Sequence, residues 1–442
     1  MPRHTTIGRR GVALIATVVL TPVVAAGSLT AVALAQPAAG DGPVPSAAFK
    51  FAQQAATDLT QARLWRGETD AAAMGRDSTR RDLVRLLQTV LDLPRGATQR
   101  QWRDIAPDDP DGVAARVVVA KGWLPSAPGR TVALDQPLTG AEANRAWTLG
   151  LGMQKAVKVM SGFRDGAGRR FARPPGFATA ITAREAGLRR NYPATDEALE
   201  RTDAQPMRLA DLVLMASRAN AIRGNGIPSS VRSLENFRIP AVPAAVVPLI
   251  QRAFSLVGYP YVWGGEATDL NPGADPQAAP GFDCSGFVVW VWPDESRAAE
   301  ASLNVPDGRT TYSMNVGKKG VKVPWRKAKA ANLVFFGSRG PKTPDAEASH
   351  TSIALGNKWI IHSSGGRAGV SITYLPTYWP AGIQDARDYS TGGGGPVTTT
   401  PTTPTVPTTP SVPVPVAPTP GTPQTPQPPA GPGGTQPPPL IP

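Results

Sequence analysis

The stretch from Tyr259 to His362 contains the chain's one cysteine, Cys284, and two of its three histidines, His350 and His362. A thiol becomes a working nucleophile when a base takes its proton and a third group holds that base in place. Cys284 lies in Phe282-Asp283-Cys284-Ser285-Gly286 and opens an apolar run, Phe287 to Trp292, which Pro293 should end. This reads as a helix with Cys284 in its first turn. The positive end of the helix dipole and a nearby charged imidazole would hold the thiol below its ordinary pKa. The backbone N–H of Cys284 would face an oxyanion growing on the attacked carbonyl. A lone cysteine can also be a small buried apolar residue; its flanking sequence favours the reactive reading.

The histidines sit in two short apolar runs, His350 to Leu355 and Trp359 to His362, around a turn near Gly356-Asn357. Leu333 to Phe336 reads as another buried strand. A two-residue loop, Gly356-Asn357, would pair Thr351 with His362 and put the two imidazoles on opposite faces. A three-residue loop ending at Lys358 would pair Ser352 with His362 and put both on one face. If both histidines act together, the loop has odd length. One Cys with two His could also bind zinc, but the spacings are not those of a compact zinc motif; neither a metal nor another cofactor is expected.

The rest of the chain must deliver and position this segment. With 442 residues and a formal charge of +13, it is long enough for several domains and suits a polyanionic partner. The N-terminus points outside the cell rather than to nucleic acid. Arg3, Arg9 and Arg10 precede the uncharged stretch 11–40, and Ala33-Leu34-Ala35 ends it. That is the order of an exported leader, expected over residues 1–35, with no membrane span left after cleavage. An uncleaved anchor is the alternative. From residue 391 on, the chain is an uncharged Gly/Pro/Thr/Val-rich tail, expected to be extended and disordered.

Residues 46–222 read as helical. Leu83, Leu86, Leu87, Val90 and Leu91 form one apolar face in the stretch 78–91. A repeat follows, in which Ala115-Arg116 and Ala183-Arg184 are each followed, nine residues after the Arg, by a proline, Pro125 and Pro193. Gln136-Pro137-Leu138 and Gln205-Pro206-Met207 then enter further helices. Three helix starts are alike: Thr79-Arg80-Arg81-Asp82, Thr139-Gly140-Ala141-Glu142 and Arg208-Leu209-Ala210-Asp211. These features resemble S-layer-homology modules, and the resemblance implies binding to an anionic wall polysaccharide. The family's Thr-Arg-Ala-Glu motif is intact in no copy; its Arg is present only as Arg80. A helical spacer without a ligand is the other reading. Residues 223–241, opened by Arg223-Gly224-Asn225-Gly226, read as a linker.

A closer resemblance covers about residues 245–388. Tyr259-Pro260-Tyr261-Val262-Trp263-Gly264-Gly265, Asp283-Cys284-Ser285-Gly286-Phe287-Val288, Arg309-Thr310-Thr311-Tyr312, Leu333-Val334-Phe335-Phe336, His350 to Gly356 and Ile361-His362 follow in order the motifs of the NlpC-type cell-wall cysteine endopeptidases. The resemblance implies a papain-like α+β domain, set at 242–390, in a multidomain chain with the helical repeats and the tail. It implies a secreted, wall-located peptidoglycan hydrolase acting on stem peptides at the D-γ-glutamyl–meso-diaminopimelate bond. By motif position Cys284 is the nucleophile, His350 the base and His362 the group orienting it. Tyr261 would offer its hydroxyl to the oxyanion, Asp283 and Ser285 would line the groove, and Arg309 would bind peptide carboxylates. The alternatives are a wall-binding protein with a masked peptidase domain, or amide hydrolysis or acyl transfer at another stem-peptide bond. About ten additional residues, around Ala267 to Ala279, read as a loop beside the groove.

Overall fold

The computed structural model describes residues 49–95, 102–126, 131–269, 279–295, 298 and 302–390. The expected leader, most of the additional loop and the expected tail lie outside the described residues. The described residues all fall within one compact unit, Val44–Pro442.

A helical region comes first: α1 (Lys50–Gln61), α2 (Ala71–Gly75), α3 (Arg80–Val90), α4 (Gly112–Ala120), α5 (Gly140–Gly150), α6 (Gln154–Gly162), α7 (Phe177–Glu185), α8 (Leu209–Asn225) and α9 (Ser229–Leu234). The apolar stripe of α3 is buried at Leu83, Leu86, Leu87 and Val90. Capping boxes start two of the similar helices, Thr79 with Asp82 and Thr139 with Glu142, each satisfying backbone N–H groups that a helix start leaves open. The third start has Arg208 at the cap position, with no side-chain cap.

The three starts meet. Ser78 N–H donates to Met207 O at 2.8 Å, Met207 N–H to Leu138 O at 2.7 Å, and Leu138 N–H to Ser78 O at 2.8 Å. The similarity of the three sequences thus accompanies a three-way junction closed by backbone hydrogen bonds. Arg80 is ion-paired with Glu142 and also donates to Val132 O at 2.7 Å, so its guanidinium serves this junction. Segment 223–241, read as a linker, carries α9, and Val231, Leu234, Phe237 and Ile239 join the main core. The spacing of three between Val231, Leu234 and Phe237 makes an apolar stripe that the glycines before it concealed.

The second region holds α10 (Val247–Ser255), a short pair β1 (Glu266–Ala267) and β2 (Gly281–Phe282), α11 (Cys284–Val291) and α12 (Thr311–Val316). The strands β3 (Val321–Val323), β4 (Leu333–Phe336), β5 (His350–Gly356), β6 (Trp359–Ser364), β7 (Gly369–Tyr374) and β8 (Ile383–Asp388) follow, with α13 (Leu375–Tyr378) before the last. They form an antiparallel sheet of order β3-β8-β4-β5-β6-β7. Alternation sorts the side chains. Leu333, Phe335, Ile353, Leu355, Ile361 and Ile372 enter the main core, which is continuous with the helical region. Val334, Phe336, Ala354 and Ile360 form a second apolar cluster on the other face.

The β5–β6 hairpin sets the register that matters. Gly356 pairs with Trp359 around the two-residue turn Asn357-Lys358, whose φ angles are 52° and 66°. Such a turn needs left-handed backbone at both positions. Ala354 pairs with Ile360, which leaves Leu355 as the additional residue of a bulge. The sequence offered a choice between two loop lengths; the protein uses a two-residue turn and a bulge instead. The bulge shifts the pairing to Ile353 with Ile361, so His350 and His362 come to one face.

Candidate active site

Asp283 is the N-cap of α11, its Oδ1 accepting from Gly286 N–H at 2.6 Å. The cap leaves Cys284 as the first helical residue. Gly286 lets the helix approach the β1 entry closely: a Cβ there would lie 2.0 Å from Gly265 O. Cys284 is only 8% exposed. Its Sγ lies 3.4 Å from Thr311 Oγ1, and backbone groups of Thr351 and Ser285 also favour its charged form. Thr351 is the neighbour of His350, so the thiol sits against the start of β5.

His350 Nε2 and His362 Nδ1 are 2.8 Å apart, with the rings edge-on. His362 Nε2 lies 3.1 Å from Thr373 Oγ1 on β7. The ring of Tyr378 packs edge-on against His362 at 4.8 Å between centroids, and its hydroxyl is 2.8 Å from Ser364 Oγ.

Burial opposes the charged state of each of these groups. It pushes the Cys284 thiol up to about 11, with Asp283 adding to the rise. It pulls His350 down to about 3 and His362 well below the usual imidazole value, with His350 and Arg367 lowering the latter further. Burial thus works against the expected resting thiolate beside a charged imidazole and favours a neutral thiol beside neutral imidazoles. Removal from water penalises both charged forms more than the helix dipole recovers. A neutral imidazole is still a competent base: it can take the thiol proton as the sulfur attacks.

Asp283, Ser285 and Arg309, expected at the groove, form a hydrogen-bonded clamp at the start of α11. Arg309 donates to Asp283 Oδ1 at 3.2 Å, Ser285 Oγ at 2.8 Å, Gly264 O at 3.0 Å and Gly265 O at 3.2 Å, and pairs with Glu266 through Nε. Ser285 Oγ in turn donates to Asp283 Oδ1 at 3.0 Å. Each guanidinium nitrogen is engaged within the protein, so Arg309 is spent on holding the helix start against the Trp263-Gly264-Gly265 turn. Tyr261 lies where its charge would feel Cys284, Asp283 and Glu197, and burial above all keeps its hydroxyl protonated. A protonated phenol beside a thiol can donate to an oxyanion.

Sequence reasoning missed the groups that come from elsewhere. Thr311 belongs to the Arg309-Thr310-Thr311-Tyr312 motif, but its contact with sulfur depends on how α12 packs. From the helical region, Asn191 Nδ2 donates to Tyr261 O at 2.8 Å, and Glu197 Oε2 accepts from Trp263 N–H at 3.0 Å. Burial lifts Glu197 to about 7, and Asp283 adds to it. Glu185, at the end of α7, reaches Thr373 and Ser371 on β7. No periodicity or spacing marks these residues. Among the described residues, no cluster of three His, Cys, Asp or Glu side chains suits a metal ion, and no helix is long and apolar enough to cross a membrane.

The NlpC/P60 family model matches residues 258–387, and this stretch is an NlpC/P60 domain. The chain is 34% identical over 140 residues to the peptidoglycan endopeptidase RipB of Mycobacterium tuberculosis, covering 31% of this chain and 51% of RipB. It is 31% identical over 133 residues to the bifunctional muramidase/DL-endopeptidase CwlT of Bacillus subtilis, covering 30% of this chain and 32% of CwlT. The crystal structure of RipB aligns at 28% identity over 34% of this chain and 69% of that chain, with a TM-score of 0.26. The chain thus spans about half or less of the length of these curated relatives. The S-layer resemblance of the helical region has no counterpart among these matches.

Proposed function

We propose that this chain is a peptidoglycan hydrolase that cleaves a stem-peptide amide through Cys284, the D-γ-glutamyl–meso-diaminopimelate bond being the reading implied by its motifs. The observation that carries this is one arrangement. The thiol at the start of α11 lies against Thr351, and the adjacent His350 is joined to His362 at 2.8 Å. The naming of RipB and CwlT as endopeptidases supports the reaction class.

In this reading the Cys284 proton passes to His350 Nδ1 while sulfur attacks the amide carbon. The Cys284 backbone N–H and the Tyr261 hydroxyl hold the oxyanion. His350 then gives its proton to the leaving amine as the C–N bond breaks, leaving a thioester on Cys284. Water, deprotonated by His350, attacks the thioester; the C–S bond breaks and the thiol is restored. His362 keeps the ring of His350 aligned throughout. The helical region acts as a scaffold, packed against the sheet and the Tyr261–Trp263 segment, and the site of action is the cell wall.

The test is digestion of purified peptidoglycan by the full chain and by Cys284→Ala, with fragments identified by mass spectrometry. Turnover by the variant falls by about 10⁴-fold or more, and the new amine and carboxylate ends name the bond. Equal release by both proteins would refute the proposal.

A further inference from the structure

The wire behind His350 does not stop at His362, and it ends in the helical region. Thr373 Oγ1 is 2.5 Å from Glu185 Oε1, and Ser371 Oγ donates to the same oxygen at 3.0 Å. Arg367 Nε lies 3.0 Å from it as an ion-pair partner. Glu185 is the last residue of α7 and is fully enclosed. Its Oε2 makes no hydrogen bond among the described residues.

Counting protons along this chain fixes more than position. A hydroxyl has one proton to give. Glu185 Oε1, surrounded by the hydroxyls of Ser371 and Thr373 and by Arg367, has room only to accept. The Thr373 proton is therefore committed to Glu185, and Thr373 can only accept from His362. His362 then carries its proton on Nε2 and presents a bare Nδ1. His350, 2.8 Å away, must donate from Nε2, which leaves Nδ1 as its lone pair. We propose that Glu185, acting from the helical region through Thr373, sets the tautomer of both imidazoles and so keeps His350 Nδ1 free to take the thiol proton.

This rests on reading His350 as the base. Glu185 touches neither thiol nor substrate; it is a positioning residue. The proton count takes Glu185 Oε1 as the acceptor of both hydroxyls; burial raises the pKa of this carboxyl, while Arg367 and the two hydroxyls favour its charged, accepting form. The count also needs both rings neutral, the form their burial favours. Without Glu185 the Thr373 hydroxyl is free to turn and donate to His362 Nε2. The pair can then flip to the form with both protons on Nδ1, in which His350 cannot accept from sulfur.

The experiment is ¹⁵N NMR of the imidazoles in the resting full-length protein, which separates protonated from bare ring nitrogens. The chain has three histidines, so the two rings of interest are readily assigned by single substitution. In the wild type both buried rings carry the proton on Nε2. In Thr373→Val and in Glu185→Ala a second, Nδ1-protonated population appears, and turnover falls by about 10- to 100-fold, the usual range for losing such a supporting partner. Thr373→Ser restores the wild-type nitrogen pattern and recovers activity relative to Thr373→Val. A wild-type spectrum with either ring protonated on Nδ1 overturns the proposal; so does a Thr373→Val spectrum identical to wild type. The wild-type measurement stands even if a variant fails to fold. It needs no substrate, so the tautomers are read even in a chain that cleaves no peptidoglycan, and the wiring and the hydrolase reading fail separately.

Discussion

Replacing Arg309 by Met separates two roles that the sequence alone could not. If Arg309 anchors a substrate carboxylate, the variant binds substrate poorly and folds normally. The structure leads to the opposite outcome. The guanidinium holds Asp283, Ser285 and the carbonyls of Gly264 and Gly265. The Asp283 side chain is 13% exposed and that of Arg309 32%. Removing one member of a buried pair costs about 3–5 kcal/mol. Solvent reaching Arg309 lowers this, and Asp283 keeps its bonds from Gly286 and Ser285, so a loss of about 2–3 kcal/mol is expected. With an m-value of about 3 kcal/mol/M in urea, the unfolding midpoint drops by about 1 M. The unpaired Asp283 charge also pushes the neighbouring thiol further up, so kcat falls about 10-fold while KM stays within about twofold. Arg309→Lys keeps a charge but not the fork, and lies between the two proteins. An unchanged urea midpoint with KM raised 10-fold or more would refute the clamp and restore the anchor.

Three further outcomes follow from the same geometry. Gly286→Ala drives its Cβ into Gly265 O, 2.0 Å away; it should cost about 3 kcal/mol in chemical denaturation, and a wild-type melt would mean the helix start is not where it is described. His350 is held near 3, so its neutral form persists until pH falls through that value, and kcat/KM should show no step at the ordinary histidine value of about 6.5; a step there that vanishes in His362→Ala would contradict this. Burial lifts Glu200 to about 8 despite bonds from Asn191 and Tyr192. It is protonated in both states below about pH 4.5, whereas between there and 8 only the unfolded chain ionises, so stability falls as pH rises through that window. Glu200→Gln should flatten that fall in melting temperatures from pH 5 to 8, and an unaltered slope would assign it elsewhere.

Local order was legible. The apolar spacing of residues 78–91 gives α3, and the Asp-Cys-Ser-Gly start gives a helix beginning at Cys284. The runs around His350 and His362 give two paired strands. Helix and strand periods are written in neighbouring residues, so a single window suffices to read them. The packed stretch 229–239 was not legible as such, because Gly224 and Gly226 look like a break and only the rest of the core shows what Val231, Leu234 and Phe237 bury against.

The sequence by itself determined which groups were available for thiol chemistry and that they would arrive on a helix start and a hairpin. Tertiary structure decided how they meet and in what state. The bulge at Leu355 chose the face of the histidines, since a turn and a bulge trade one residue for another and leave no distinct pattern. Burial favours a neutral thiol and neutral imidazoles, because desolvation depends on everything packed around a group. Glu185 and Thr373 are 188 residues apart in the chain and 2.5 Å apart in the fold. Such a contact is set by how two regions dock, and a hydrogen bond leaves no mark on the residues between its ends.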